Sequence, residues 1–250
     1  MAGHSKWANV KHRKARVDAQ KGKIFTKLAR EIIIAAKEGG GDLEANFRLR
    51  LAVQKARDAN LPGDNIARAI QKGTGEQDTI VLEQFNYEGY GPGGVAVLLE
   101  VMTDNRNRTA AEIRSIFSRR GGNMGESGCV AWMFKRMGSL SVDKQQNSIP
   151  EDELMLLALE NGAEDFKDES NSYLILTAPE DFEQVKGQME KKGAFFTEAE
   201  VTMVPQNTVL VTDPEEAKKL LSLLEALEDQ DDVQNVHANL DIPEEILQSI

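Results

Sequence analysis

With one cysteine, Cys129, in 250 residues, no disulfide can close within the chain and no thiolate cluster can hold a metal. Histidine is nearly as scarce. His4, His12 and His237 stand far apart, without an HExxH pattern or a carboxylate at ligand spacing, so no metal site is expected. The longest apolar runs, IIIAA at 32–36 and VAVLL at 95–99, fall far short of the roughly eighteen residues a membrane helix needs. No apolar h-region follows the start, so no secretory signal is expected, and a cleaved basic presequence is disfavoured because helical periodicity runs straight on from it.

Nucleophile elbows and Walker loops are also missing. Gly89, Gly91 and Gly94 have dinucleotide-fingerprint spacing, but Pro92 lies inside it and a strand-like VAVLLEV follows where a helix N-terminus is required. Gly122-Asn-Met-Gly125 resembles the backbone clamp of KH domains, yet a strand-like segment follows it too. Cys129, in an apolar segment, reads as a small core residue. With 41 Asp and Glu in the chain, carboxylate pairs arise by chance. The expectation is a protein that is not an enzyme and has no cofactor, metal or small-molecule substrate.

Charge is what the sequence does have. The chain carries −11 overall, yet its first thirty residues hold nine Lys/Arg and one carboxylate, Asp18. Residues 1–75 contain sixteen Lys/Arg and seven Asp/Glu, a net of +9; the remainder, with fourteen and thirty-four, has a net of −20. Clustered cations gain affinity for nucleic acid by releasing condensed counterions from phosphates. Here the cations are interleaved with Trp7 and His12, which suit packing on sugar or base. The candidate nucleic-acid-binding residues are Lys6, Trp7, Lys11, His12, Arg13, Lys14, Arg16, Lys21, Lys23, Lys27 and Arg30. Arg48, Arg50, Lys55 and Arg57 add charge to the same unit. Residues 1–15 show little apolar periodicity and read as an arm that orders on binding.

Periodicity assigns the elements. Ile24, Phe25, Leu28, Ile32, Ala35 and Ala36 share one side of a helix, with Arg16, Lys23, Arg30 and Lys37 opposite. Ile34 falls on the basic side, so the amphipathicity is not clean. Gly39, Gly40 and Gly41 stop this helix. A second helix is expected over about 43–60 and a third from Pro62 to Gly73. After residue 78 short strands alternate with helices. FNYEGYGPGGVAVLLEV reads as a hairpin, 109–122 as a helix with Thr109 as N-cap, and GCVAWMF (128–134) as a strand. Residues 136–206 follow β-α-β-β-α-β, the ferredoxin-like order. A strand TVLVT, a helix over PEEAKKLLSLLEALED and a strand VQNVHANL complete the chain. The expected fold class is α+β: an N-terminal three-helix domain and two ferredoxin-like α+β domains, one inserted in the other. The expected boundaries are 1–77, 78–135 with 207–243, and 136–206.

MAGHSKWANVKHRK, KGKIFTKLAREI, AAKEGGGD, NFRLR and LPGDNIARAIQKGTG resemble the start of the YebC/PmpR family, as do YEGYGPGGVA, EVMTDNRNRTAAEIR and GGNMGESGCVAWMF further on. The resemblance fades across 136–206. It implies a helical N-terminal domain, two α+β domains, and a non-enzymatic cytoplasmic protein acting in gene expression. Family members are described as transcriptional regulators that bind DNA. Relatives, including a mitochondrial translational activator of cytochrome c oxidase, act on translation, and bacterial members are implicated at ribosomes stalled on proline-rich sequences. The expected partner is therefore nucleic acid, duplex DNA or ribosomal RNA, the latter on the ribosome; no membrane is involved. Charge does not separate these two. A protein-interaction adaptor whose basic domain grips an acidic protein is the rival class.

Overall fold

A computed structural model describes residues 19–75, 82–169 and 171–249 of the chain. It is an α+β protein in which a helical unit precedes two four-stranded antiparallel sheets.

Helices α1 (Ala19–Gly39), α2 (Phe47–Asp58) and α3 (Gly63–Thr74) form the helical unit. Leu28, Ile32, Ala35 and Ala36 of α1 pack on Leu49, Ala52, Val53 and Ala56 of α2 and on Ile66 and Ala69 of α3. Ile24, expected inward, is exposed, and the packed side of α1 begins with the partly buried Phe25. The start of α2 is set by Asn46 rather than Leu43. The Asn46 side chain accepts from the Leu49 amide at 3.0 Å and donates to the carbonyls of Ala35 and Gly40 at 2.8 Å each, tying the start of α2 to the end of α1. At Gly73 a Cβ would stand 2.4 Å from the Ile33 carbonyl oxygen, which is why α1 and α3 can approach so closely.

The hairpin of β1 (Glu83–Tyr90) and β2 (Ala96–Thr103) begins the first sheet. Gly93 and Gly94 in its turn both have φ near +73°, a region open to glycine at little cost. After α4 (Arg106–Arg119), β3 (Asn123–Met124) joins the outer edge of β1, and β9 (Val233–Ala238) joins β2, giving the order β3-β1-β2-β9. This sheet is thus hairpin-first in connection. Val97, Leu99 and Val101 of β2 face α4 and α7 (Pro214–Glu228), burying Ile113, Phe117, Leu220, Leu224 and Leu227.

The chain between these parts forms β4 (Phe134–Asp143), α5 (Glu151–Glu160), β5 (Ala163–Asp168), β6 (Ser172–Thr177), α6 (Phe182–Lys191) and β7 (Glu198–Pro205). Their sheet order is β5-β6-β4-β7, the arrangement of a βαββαβ unit. The second face of the first sheet, through Ala96 and Leu98, packs on Val130 and Phe134, with Met203 beside them.

Three local expectations differ. The 128–134 stretch is a turn followed by a 3-10 segment, Ala131–Met133, because the buried Glu88 carboxylate gathers its amides. Helix α4 starts at Arg106 with Asn105 as N-cap, and Thr109 lies inside the helix with its hydroxyl committed elsewhere. TVLVT contributes only β8 (Val209–Leu210), paired in parallel with β10 (Leu240–Asp241), and a closing helix α8 (Glu244–Ser249) follows.

Candidate nucleic-acid interface

Of the residues expected to grip nucleic acid, Lys6, Trp7, Lys11, His12, Arg13, Lys14 and Arg16 lie outside the described residues, and of Lys21 only the helical backbone is described. Lys23, Lys27 and Arg30 are described, and they share one environment. Lys23 Nζ donates to the Asp229 carbonyl at 2.9 Å and sits 3.8 Å from the Asp231 carboxylate. Lys27 Nζ donates to the Glu228 carbonyl at 2.7 Å. Arg30 donates to the Asp231 carbonyl at 2.6 Å and to Asp232 Oδ1 at 3.1 Å.

The chemistry follows from the end of α7. A helix C-terminus leaves its last carbonyls without intrahelical partners and carries a partial negative charge. The last turn of α7 has no basic residue of its own, and EDQDD (228–232) adds four carboxylates. The basic side of α1, some two hundred residues away in sequence, supplies the missing cations. Ile34, the apolar residue on that side, is 3% exposed, as befits a face packed against protein rather than turned to water.

Asp232 is the centre of this contact. Its side chain is 3% exposed and accepts from Thr109 Oγ1 at 2.7 Å, Thr103 Oγ1 at 3.1 Å, Arg108 Nη2 at 3.0 Å and Arg30 Nη1 at 3.1 Å. Burial works to raise this carboxyl, but the hydrogen bonds from Thr109, Arg108 and Thr103 and the Arg30 charge outweigh it and hold the group below the usual aspartate range. The stretch TDNRNRT (103–109) serves this centre: Thr103, Arg108 and Thr109 bind Asp232, and Asn105 caps α4 by accepting from the Arg108 amide at 3.1 Å.

The other cations of the helical unit are partly engaged. Arg48 pairs with Glu38 and reaches Gln84, and Arg50 lies 5.5 Å over the Phe47 ring. Lys55 meets Glu200 of β7 at 3.2 Å, and its ammonium is raised chiefly by that charge, with Glu31 adding to it. Lys37 and Arg57 are exposed.

Matches to known proteins place this arrangement. Residues 5–76 match the model of the TACO1/YebC protein N-terminal domain, and residues 82–240 match that of the TACO1/YebC second and third domain. The chain belongs to the TACO1/YebC family. It is 60% identical over 250 residues to a "Probable transcriptional regulatory protein" of Natranaerobius thermophilus, covering all of both chains. It is also 60% identical to a protein of the same name from Halothermothrix orenii, covering all of this chain and 99% of the other. A crystal structure of a conserved hypothetical protein, Aq1575 from Aquifex aeolicus, superposes with a TM-score of 0.82 at 49% identity, covering 94% of this chain and 96% of that one.

In this TACO1/YebC chain, sequence reasoning missed a second polar centre. His237 of β9, buried, lies 3.4 Å from Glu100 of β2, which also accepts from Asn235 at 2.6 Å. Burial opposes ionisation of Glu100, but the hydrogen bond and charge of His237, the Asn235 amide and the Arg136 charge bring it down to about 2. The strand pairing of Leu98 with His237 brings these residues together across about 135 positions, beyond the reach of any spacing rule. Cys129 is a poor nucleophile here, its thiol pushed up by burial and by Glu88. No helix among the described residues is long and apolar enough to cross a membrane.

Proposed function

We propose that this protein is a cytoplasmic, non-enzymatic regulator of gene expression that binds nucleic acid through the cations of its first thirty residues. The observation that carries this reading is the division of charge, +9 over residues 1–75 against −20 over the rest. Such a dipole turns the basic end toward a polyanion and raises the encounter rate. The names of the relatives in Natranaerobius and Halothermothrix support regulation of transcription; duplex DNA is the polyanion proposed for that role.

Within this surface the roles divide. Lys6, Lys11, Arg13, Lys14, Arg16 and Lys21 contact phosphates, and Trp7 and His12 pack on sugar or base. Lys23, Lys27 and Arg30 anchor the segment to the end of α7.

A second reading, action in translation with ribosomal RNA as the polyanion, is favoured by one feature. Tyr90 and Trp132 expose aromatic rings, and ribosomal RNA presents unpaired bases where duplex DNA does not. Filter binding of the full chain to duplex DNA and to a ribosomal RNA fragment, alongside Lys11→Glu/Arg13→Glu/Lys14→Glu, tests the assignment. Loss of binding with an unchanged circular dichroism spectrum supports it; retained affinity contradicts it. Co-migration with ribosomal subunits on a sucrose gradient separates translation from transcription.

A further inference from the structure

Trp132 is 64% exposed and Tyr90 36%, in a protein with only 6% aromatic residues. Exposed rings are normally free to rotate, but these are pinned. Trp132 Nε1 donates to the Cys129 carbonyl at 3.2 Å, and Tyr90 Oη donates to the same oxygen at 3.1 Å. The loop that carries this oxygen is itself fixed. Glu88, 3% exposed, accepts from the amides of Gly128 at 2.6 Å and of Val130 and Ala131 at 2.7 Å each, and its own carbonyl accepts from Gly125 at 2.8 Å. Packing leaves no slack either: a Cβ on Gly125 would stand 2.5 Å from Cys129 Sγ.

Two consequences follow. Each ring has its donor committed to one backbone oxygen, which sets the two rings beside each other and leaves their faces for contact. Around the rings the other exposed positions of 121–132 are Gly121, Asn123, Glu126, Ser127 and Gly128, with no further large apolar side chain. A protein-binding hot spot is usually set in a desolvated apolar patch, whereas a site for stacking needs only the ring faces and a nearby phosphate contact. Asn123 pairs with Tyr90 across β3 and β1, and the exposed Arg119 and Arg120 lead directly into that turn, with Arg120 also donating to the Ser222 hydroxyl.

We propose that Tyr90 and Trp132 form a stacking platform for an unpaired nucleobase of a single strand. The platform gives the acidic part of the chain its own contact with nucleic acid, apart from the basic segment. Because every base has a π-face, the contact is tolerant of sequence and selective for unpaired over paired strands. It rests on the nucleic-acid reading above and adds the kind of strand recognised.

The chain has two tryptophans, so Trp7→Phe, which keeps a ring at position 7 and is compared with wild type by anisotropy, leaves Trp132 as the sole indole reporter. This variant is titrated with a twelve-nucleotide oligouridylate, the matching oligodeoxythymidylate and a duplex, following indole fluorescence and, in parallel, anisotropy of labelled oligonucleotide. The expected result is saturable quenching by the single strands, with little by the duplex, and the two single-stranded arms show whether the sugar matters. Trp132→Ala and Tyr90→Ala then weaken single-strand binding roughly 5- to 100-fold, while Trp132→Phe largely restores it. Binding by anisotropy with no quenching, and with affinity unchanged in Trp132→Ala, overturns the platform and leaves the basic segment as the binding surface. No binding in either readout removes both readings.

Discussion

Replacing Asp232 with alanine is the most severe single change the contact between α1 and the end of α7 can undergo. The carboxylate is buried and has five side-chain donors, two hydroxyls, two guanidiniums and, at 3.5 Å, the Gln230 amide. Without it, Thr103 and Thr109 lose an acceptor in a site shut off from water, and Arg30 and Arg108 lose their shared anion. Breaking a buried ionic contact from one side costs about 3–5 kcal/mol, because the remaining partners stay desolvated. For a chain of this size each kcal/mol lowers the melting temperature by about 2–4 °C, so Asp232→Ala is expected to melt about 10 °C lower. Arg30→Ala leaves the other four donors in place, and Arg30 is partly solvated at 23% exposure. Its loss is expected to cost only about 1–2 kcal/mol. Both are read by thermal unfolding followed by circular dichroism at neutral pH. An Asp232→Ala protein within about 1 kcal/mol of wild type, or one no less stable than Arg30→Ala, would refute the placement of Asp232 at the centre of the contact.

Glu100 gives a pH test with a defined sign. Its folded value of about 2 lies below the ordinary 4.5, so its contribution is complete above that ordinary value and is lost as pH falls toward 2. Glu100→Gln should therefore be about 2–3 kcal/mol less stable than wild type at pH 6, with the gap closing by about pH 2 in urea titrations. A gap independent of pH would mean that packing, not charge, is what the substitution disturbs. Asp229→Asn/Asp231→Asn removes two carboxylates facing Lys23 and should raise affinity for nucleic acid roughly 2- to 10-fold in anisotropy titrations at fixed salt. Unchanged or weaker binding would mean that the basic side of α1 stays on protein whatever its charge.

Local chemistry carried the helices and most strands into view from sequence. The apolar side of α1 from Leu28 to Ala36 packs as its periodicity requires, and the ferredoxin-like order of residues 134–205 follows from strands and helices alternating with clear turns. Where expectation and structure part, a long-range polar contact intervenes. Glu88 turns an apolar, strand-like GCVAWMF into a tight loop by collecting its amides. Thr109 has the side chain of an N-cap, but Asp232, 123 positions away, uses its hydroxyl. The basic stripe on α1 was legible as a stripe, while its partner, the end of α7, was not. One signal for it was present: Ile34 lies among cations, where a face turned wholly to water has little use for isoleucine. The pairing of Glu100 with His237 had no local trace at all.

The central claim, that the N-terminal cations grip a polyanion, is tested most directly by the salt dependence of binding. Each phosphate neutralised adds about 0.7–0.9 to the slope of log affinity against log salt. Wild type and Lys11→Glu/Arg13→Glu/Lys14→Glu are titrated with the same duplex DNA and the same ribosomal RNA fragment between about 50 and 200 mM salt, the range over which this term is large. Weaker binding by the triple variant is expected, with a slope shallower by about 2–3 on whichever polyanion is the partner. Coincident lines for the two proteins, at equal affinity, would contradict it.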